Sequence, residues 1–520
     1  MRIALIQAPI EDFYSTVQRT YPLGLTYLAG AIKNLPVEIN IIDFLTGHGR
    51  QTIQVPSTFN AIKPYIPYDR SPISVFHTYY HWGASWEFIK QYFGEEHYDL
   101  CAISSNFYTY SQEVIKLASI IKSVSPNSRV IVGGQNVGPE HALFTQCPDI
   151  DHCIMGEGEK AFRQYAQSIL ENGEISDNIL GKWNPKRRKW NDNPLISSFD
   201  IKPNADLLPV EKYRIAGEPA IMLSTSRGCP MGCRFCSVSR TFGSPLRLKP
   251  IEMIIREMQD AFDRGIRAFD IEDDNFTFKR QHCVDLLTQI SQRFRDKIKL
   301  YAMNGLSAEH LDEEIIDLLV KSEMKLLNLS IATGSEEQLK RLHRNTNIEH
   351  FKYISRYAAE KGLKVMGHFI AGLPQQGLEE ILKTMAILSE LPLILGISPF
   401  YYIPGIKIPV PNIPENCKDS RLTRFWPADN LLNELDLITL FRLSRWLNYL
   451  KNELSKKKIT KLQFSNIIDI FPNDPFILGL IEKQIFYGLD ANTELYEHKY
   501  SKYVLKTFFE IFSNTSVYCD

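Results

Sequence analysis

The sequence predicts an α/β protein in three parts: a doubly wound parallel sheet, a partial barrel of six βα units, and a helical C-terminal region. Three observations carry this. Short β-rich runs alternate with amphipathic helical segments in two separate series, one at the start of the chain and one in its middle. Such alternation folds as parallel sheet, because a crossover helix is the compact way to bring successive strands parallel. After about residue 410 the alternation gives way to long amphipathic, aromatic stretches. The expected boundaries are 1–172, a connector at 173–218, 219–410 and 411–520, in keeping with 520 residues and roughly one domain per 150.

In the first series, Arg2 to Pro9, Val37 to Phe44, Tyr98 to Ser105, Arg129 to Gly134 and Asp151 to Gly156 read as strands. Between most of them lie helical patterns with apolar residues recurring at three and four, including LGLTYLAGAIKN, SQEVIKLASIIKSV and GEKAFRQYAQSILEN. The stretch from Leu45 to about Gly83 is aromatic, carries prolines and shows no period. From Gly173 to Glu218 the pattern dissolves into polar sequence, and its basic run NPKRRKWNDNP reads as a solvated loop.

The second series offers six strands: Ala220 to Arg227, Ile266 to Asp273, Ile298 to Asn304, Lys325 to Ala332, Leu363 to Gly372 and Leu395 to Ile403. Helical stretches such as PIEMIIREMQDAFDRG and LDEEIIDLLVKSEM separate them. Six units fall short of a closed eightfold barrel, which predicts an open partial one with its chemistry at the C-terminal strand ends. The Trp and Phe residues of the C-terminal region recur at helical spacing and read as core packed against the barrel's open side, with Arg424 and Trp426 as weaker substrate-facing candidates.

Bulk composition narrows the function only slightly. With 59 basic and 60 acidic side chains the formal charge is −1, so no global field favours nucleic acid or a membrane surface. The N-terminal apolar run is short and followed by acid, unlike a secretory signal, and no run of about 18 apolar residues predicts a membrane span. A cytoplasmic location is expected, and six of the nine cysteines are scattered singly, as suits reduced thiols.

The other three, Cys229, Cys233 and Cys236, stand together in SRGCPMGCRFCSVSR, just after the first strand of the second series. Gly228, Pro230 and Gly232 keep that loop out of helix and sheet. Three clustered thiolates can ligate three irons of a [4Fe-4S] cube and leave one iron open. Zinc is the competitor, but structural zinc sites take four ligands in two pairs, and no second pair follows.

These residues resemble the radical SAM superfamily, whose motif is C-x3-C-x-aromatic-C at the end of the first barrel strand; Cys229, Cys233, Phe235 and Cys236 match it fully. The resemblance implies that the open iron is chelated by S-adenosylmethionine (SAM), that Phe235 lies against the adenine, and that reductive cleavage yields a 5′-deoxyadenosyl radical. An electron donor such as flavodoxin or ferredoxin is then implied. Asp273 and Asp274 in DIEDDNF resemble the family's acidic pair near the methionine end of SAM, where a carboxylate can pair with the ammonium. In LSIATGSEEQ the family's usual Glu is Ala332, so a ribose contact falls to Ser330, Thr333 or another residue. Arg247 matches a recurrent basic position, with a surface ion pair as its plainest role.

A parallel αβ domain ahead of such a barrel resembles the cobalamin-binding branch of the superfamily. The residues that carry this are Gly133 and Gly134 at one strand end and Gly156, Glu157 and Gly158 at another, where glycine lets backbone approach a large ligand. No D-x-H-x-x-G motif is present, so His48 and His152 are read as turn residues and a bound cobalt is expected to have no protein His beneath it. The resemblance implies methyl transfer to an unreactive carbon or phosphorus centre, an unactivated carbon first, of a small-molecule or peptide substrate. Radical rearrangement, cyclisation or oxidation stays open, as does an N-terminal domain that recognises substrate without a corrinoid.

Overall fold

The computed structural model describes residues 1–15, 19–196 and 199–519. Five strands, β1 (Arg2–Gln7), β2 (Glu38–Asp43), β3 (Leu100–Ser104), β4 (Arg129–Gly133) and β5 (His152–Ile154), form an all-parallel sheet in the order β2-β1-β3-β4-β5. Alternation along β1 serves both faces. Ile3 and Leu5 pack against helices α1 (Leu23–Ile32) and α4 (Gly158–Asn172), while Ala4 and Ile6 face α2 (Trp86–Glu95) and α3 (Ser111–Val124). This is the doubly wound arrangement expected, and the strand order reverses between β1 and β3, which opens a crevice at their C-terminal ends.

Residues 45–83 resist sequence reading because their partners are remote. Tyr80–Trp82 pairs with Ile10–Asp12 on one side and Arg50–Thr52 on the other in a small antiparallel sheet. Between those strands, Phe59, Ile62, Ile66, Ile73, Val75 and Tyr79 are buried in the same core as the barrel. A segment buried irregularly against two bodies has no reason to be periodic. The connector holds a two-residue-per-strand hairpin, Trp183–Asn184 with Lys189–Trp190, and its basic run is exposed as expected.

The second series forms the six expected parallel strands: β6 (Glu218–Leu223), β7 (Ala268–Ile271), β8 (Lys299–Tyr301), β9 (Leu326–Ala332), β10 (Lys364–Ala371) and β11 (Ile394–Pro399). Continuous ladders join β6-β7-β8 and β9-β10-β11, and single parallel bridges at Leu300–Met324 and Leu306–Leu329 link the two halves. Helices α5 (Ile251–Asp263), α6 (Arg280–Phe294), α7 (Glu313–Lys321), α8 (Ile348–Glu360) and α9 (Leu378–Ser389) bury their apolar stripes on the outer face.

The C-terminal region covers the open side through α10 (Glu434–Lys456), which is started by an Asn433–Asp436 capping box and buries Leu437, Leu440, Leu443 and Trp446 in the barrel core. A second helix, α11 (Lys502–Phe512), packs Phe508 and Phe512 nearby. Two short antiparallel strand pairs, Lys461–Gln463 with Ser516–Tyr518 and Tyr487–Leu489 with Leu495–Glu497, add sheet to a region expected to be helical. Among the described residues no helix is long and apolar enough to cross a membrane.

Candidate functional site

The first barrel strand ends in a tight hairpin, Ser226–Arg227 paired with Arg247–Leu248, and the cysteine loop is what this hairpin encloses. Gly228 is obligatory there, because its φ is +87° and an added Cβ would lie 2.4 Å from the Pro245 carbonyl oxygen. Gly232, at φ +66°, makes the second turn. All three thiols are unbridged, with Cys233 buried and Cys229 and Cys236 half-buried.

Two side chains from other loops reach the sulfurs. The Asn275 amide donates to Cys229 Sγ at 3.9 Å, and the Arg344 guanidinium to Cys233 Sγ at 4.0 Å. Burial pushes the Cys229 thiol up and the Cys236 thiol up to about 11, so each holds its proton until a cationic centre displaces it. Among the described residues no group of three His, Cys, Asp or Glu side chains is arranged for a single metal ion. An iron–sulfur cube places each cysteine on a different iron, so its ligands need not converge on one point. Three sulfurs on one glycine-shaped loop, met by amide and guanidinium donors, fit such a cluster.

The loop after β7 brings two carboxylates alongside, and they differ sharply. Asp273 is 3% exposed and accepts from Thr225 N–H at 2.6 Å, from the Thr225 hydroxyl, and from the Ser226 hydroxyl at 2.6 Å. It braces the strand end from which the cysteine loop springs. Asp274 has no hydrogen bond or ion pair among the described residues, and burial, with the charges of Asp273 and Glu272, pushes it up to about 7. Its charge is felt by Cys229 and Cys236. Of the predicted pair, Asp274 is the one available to a ligand.

Ser330 lies on β9 with no hydrogen bond to its hydroxyl among the described residues, while its carbonyl accepts from Arg344 at 2.8 Å. Arg344 thus ties Ser330, the Ser307 hydroxyl (3.0 Å) and Cys233 together. Sequence reasoning missed this arginine and Asn275. Nothing local marks Arg344, which sits beyond a short helix 111 residues from Cys233. Phe235 is half-buried against Leu342, Leu373, Phe400, Ile408 and Ala428, an apolar wall beside the cysteines.

The glycines of the N-terminal sheet make room chiefly for the protein itself. A Cβ on Gly134 (φ +116°) would meet the Ser105 carbonyl at 2.4 Å, one on Gly156 (φ +78°) the Asn193 amide at 3.0 Å, and one on Gly158 the Leu28 side chain at 3.0 Å. Gly133 would gain only an ordinary contact, 3.5 Å from the Ile154 carbonyl. Glu157 is 4% exposed and is held by Ile196 N–H (2.7 Å), Arg247 (2.8 Å) and Arg227 (3.6 Å), and Glu159 pairs with Arg227 at 2.6 Å. Residues expected at a ligand therefore form a buried clasp between the start of α4 and both strands of the hairpin that carries the cysteines. Arg247 is a half-buried partner of the buried Glu157 in that clasp rather than a surface pair.

Exposed His48 packs on Phe88 in a bend, close to the turn position expected, whereas His152 opens strand β5 rather than a turn and is tied to the Tyr165 hydroxyl at 2.8 Å. Arg424 pairs with Asp419 at 3.2 Å and Trp426 donates to the Asn412 carbonyl at 2.8 Å, which gives both a structural role.

Comparison with known proteins agrees with this geometry. Residues 223–388 match the Radical SAM superfamily. An uncharacterised methyltransferase from Pyrococcus horikoshii is 28% identical over 75% of this chain and 78% of its own length. Cytidylyl-2-hydroxyethylphosphonate methyltransferase of Streptomyces wedmorensis is 26% identical over 68% of this chain and 69% of its own. Among solved structures, the radical S-adenosylmethionine methyltransferase TsrM from Kitasatospora setae superposes with a TM-score of 0.55 at 18% identity, covering 76% of this chain and 73% of that one. The cobalamin-dependent radical enzyme OxsB superposes with a TM-score of 0.54 at 19% identity, over 76% of this chain and 53% of that one. At these identities the solved structures establish a shared fold.

Proposed function

The segment 223–388 belongs to the radical SAM superfamily, and on that premise we propose that this enzyme is a cobalamin-dependent methyltransferase acting on an unactivated carbon of a small molecule or peptide. The observation that carries the reading is the glycine-shaped loop that presents three thiols, with an unpartnered carboxylate and a guanidinium beside them. In this reading Cys229, Cys233 and Cys236 hold a [4Fe-4S] cluster. When bound, the cluster supplies the electron that splits SAM into methionine and a 5′-deoxyadenosyl radical, and a corrinoid supplies a transferable methyl group.

The chain's own residues do the positioning. Asp274 accepts the SAM ammonium, since an unpartnered carboxylate at a dry site gains most from a cation. Arg344, already fixed by Ser330 and Ser307, turns its remaining donor capacity to the SAM carboxylate. Phe235 and its apolar wall give the adenine a face to lie on and keep water away. Gly133, Gly134, Gly156 and Gly158 shape the sheet ends that face the barrel, and Ser330 offers its hydroxyl to the ribose. The corrinoid would lie at the crevice where the strand order reverses, between the ends of β1 and β3. The domain boundaries 1–172, 173–218, 219–410 and 411–520, a cytoplasmic location and a flavodoxin- or ferredoxin-type donor complete the proposal. The methyltransferase names of the relatives support it.

The test is anaerobic turnover of the reconstituted protein with methyl-labelled SAM and cell extract. Formation of both 5′-deoxyadenosine and S-adenosylhomocysteine, with label in a product, is the expected result. Deoxyadenosine without S-adenosylhomocysteine would replace methyl transfer by rearrangement or oxidation.

A further inference from the structure

Away from the cysteine loop, one cavity of the barrel is lined by cationic and polar groups that lack partners. It has a volume of about 430 Å³ and lies between β11 and α10, with Pro72 of the 45–83 insertion at its wall; Met366, Ile397, Phe441, Ser444 and Arg445 are among the residues that line it. The volume falls within the range of small-molecule sites, roughly 300–1,000 Å³. It is not a place for strand addition, because Asn448 already closes the edge of β11, accepting from Leu395 N–H and donating to the Leu395 carbonyl, both at 2.8 Å.

Ser444 is 1% exposed and its hydroxyl has no hydrogen-bond partner among the described residues. A helical serine ordinarily returns its proton to the carbonyl one turn back, and this one does not. Beside it, the Arg445 guanidinium stacks on Phe76 and Phe441 at 5.9 and 5.3 Å but has no hydrogen bond or ion pair among the described residues. The carboxylate whose charge it feels, Asp69, is already taken by Ser71, Leu489 N–H and His498. Arg442, fully buried one turn away, bonds only the Tyr65 carbonyl among the described residues and leaves Nε and Nη1 without a hydrogen bond there. Two guanidiniums therefore share one occupied carboxylate, and a buried cation without a counter-charge is costly.

We propose that this cavity binds an anionic, otherwise apolar small molecule, with its carboxylate or phosphate on Arg445 and Ser444 and its hydrocarbon on Met366, Ile397 and Phe441. Met366 alternates with His368 along β10, and the His368 ring fills the space a side chain at Gly396 would take, so the cavity borders the inner face of the barrel. That the ligand is the substrate rests on the barrel being the reaction chamber; that the cavity binds an anion does not.

Titration calorimetry on the full-length protein, with octanoate, octyl phosphate and octanol as probes, tests this. At least one acid binds, octanol binds at least about tenfold more weakly, and Arg445→Met loses about tenfold for the acid while Arg445→Lys keeps most of it, as the loss of one charge-assisted hydrogen bond predicts. Octyl phosphate against octanoate separates a phosphorylated from a carboxylated ligand. Binding of neither acid, equal binding of octanol, or an unchanged Arg445→Met overturns the proposal. Should Arg445→Met fail to fold, Ser444→Ala is expected to weaken the acid several-fold, and unchanged binding again overturns it. Absence of an iron–sulfur chromophore or of SAM cleavage in the wild-type protein would count against the proposed function and leaves the anion titration standing.

Discussion

Adjacent Asp273 and Asp274 carry the same side chain and do opposite things, because one is saturated with donors and the other has none. Asp273→Asn puts an amide where three donors converge, and is expected to cost about 2–4 kcal/mol, seen as a lower denaturation midpoint and poorer iron retention. Asp274→Asn removes an unpartnered carboxylate, so the fold survives while SAM affinity falls by about tenfold or more, measurable by equilibrium binding. It also changes the pH profile. Asp274 titrates at about 7 in the folded protein against an ordinary 3.8, so the folded state keeps a proton the unfolded state releases, and stability declines as pH rises between those values. Thermal melts from pH 4 to 8 should show that decline flattened in Asp274→Asn. The sequence exposes both carboxylates and all three cysteines, since residue type and spacing are local. Which aspartate is occupied depends on Thr225 and Ser226, 47–48 residues earlier, and no spacing rule carries that.

Elements are legible where one periodicity runs uninterrupted against one core. The quoted helical patterns SQEVIKLASIIKSV and GEKAFRQYAQSILEN coincide with α3 and α4, and nine of the eleven large strands fall inside their expected runs, while β6 starts two residues early and β11 one. The start of α4 shows the limit of that legibility. Its Gly-Glu-Gly-Glu opening reads as a place for a ligand, yet the two glutamates hold Arg227 and Arg247 instead. Arg227 directly precedes Gly228 and Cys229, so the N-terminal sheet fixes where the cysteine loop sits. Glu157 meets two guanidiniums and a backbone N–H, whereas Glu159 meets one guanidinium. Glu157→Gln is therefore expected to cost about 2 kcal/mol and Glu159→Gln about half that, compared by urea denaturation. If the two variants are equally mild, the clasp is not what positions the hairpin.

At the scale of the whole molecule, the order of the three parts is legible but their docking is not. Residues 417–424 fold back from the end of the barrel onto the N-terminal domain, at α3 and the small antiparallel sheet, where Arg421, 1% exposed, pairs with Asp12 at 3.1 Å and Glu113 at 2.8 Å. Tyr110 and Thr423 complete Asp12, and Lys418 reaches Glu113 at 3.2 Å. Each of these charges, read alone in the sequence, looks like a surface residue, and only contacts spanning about 300 to 410 residues bury them. Burial pushes against the Arg421 charge, but the two carboxylates outweigh it and hold the guanidinium ionised. Removing the arginine strands two acids in a dry core, so Arg421→Met is expected to cost about 3–5 kcal/mol. Removing all three charges should cost less than the arginine alone, because what hurts is the unpaired charge rather than the missing pair. Denaturation of Arg421→Met against the triple variant Asp12→Asn, Glu113→Gln, Arg421→Met measures the difference. A triple variant no more stable than Arg421→Met would mean that the C-terminal segment is held on the N-terminal domain by its packing and not by this ion cluster.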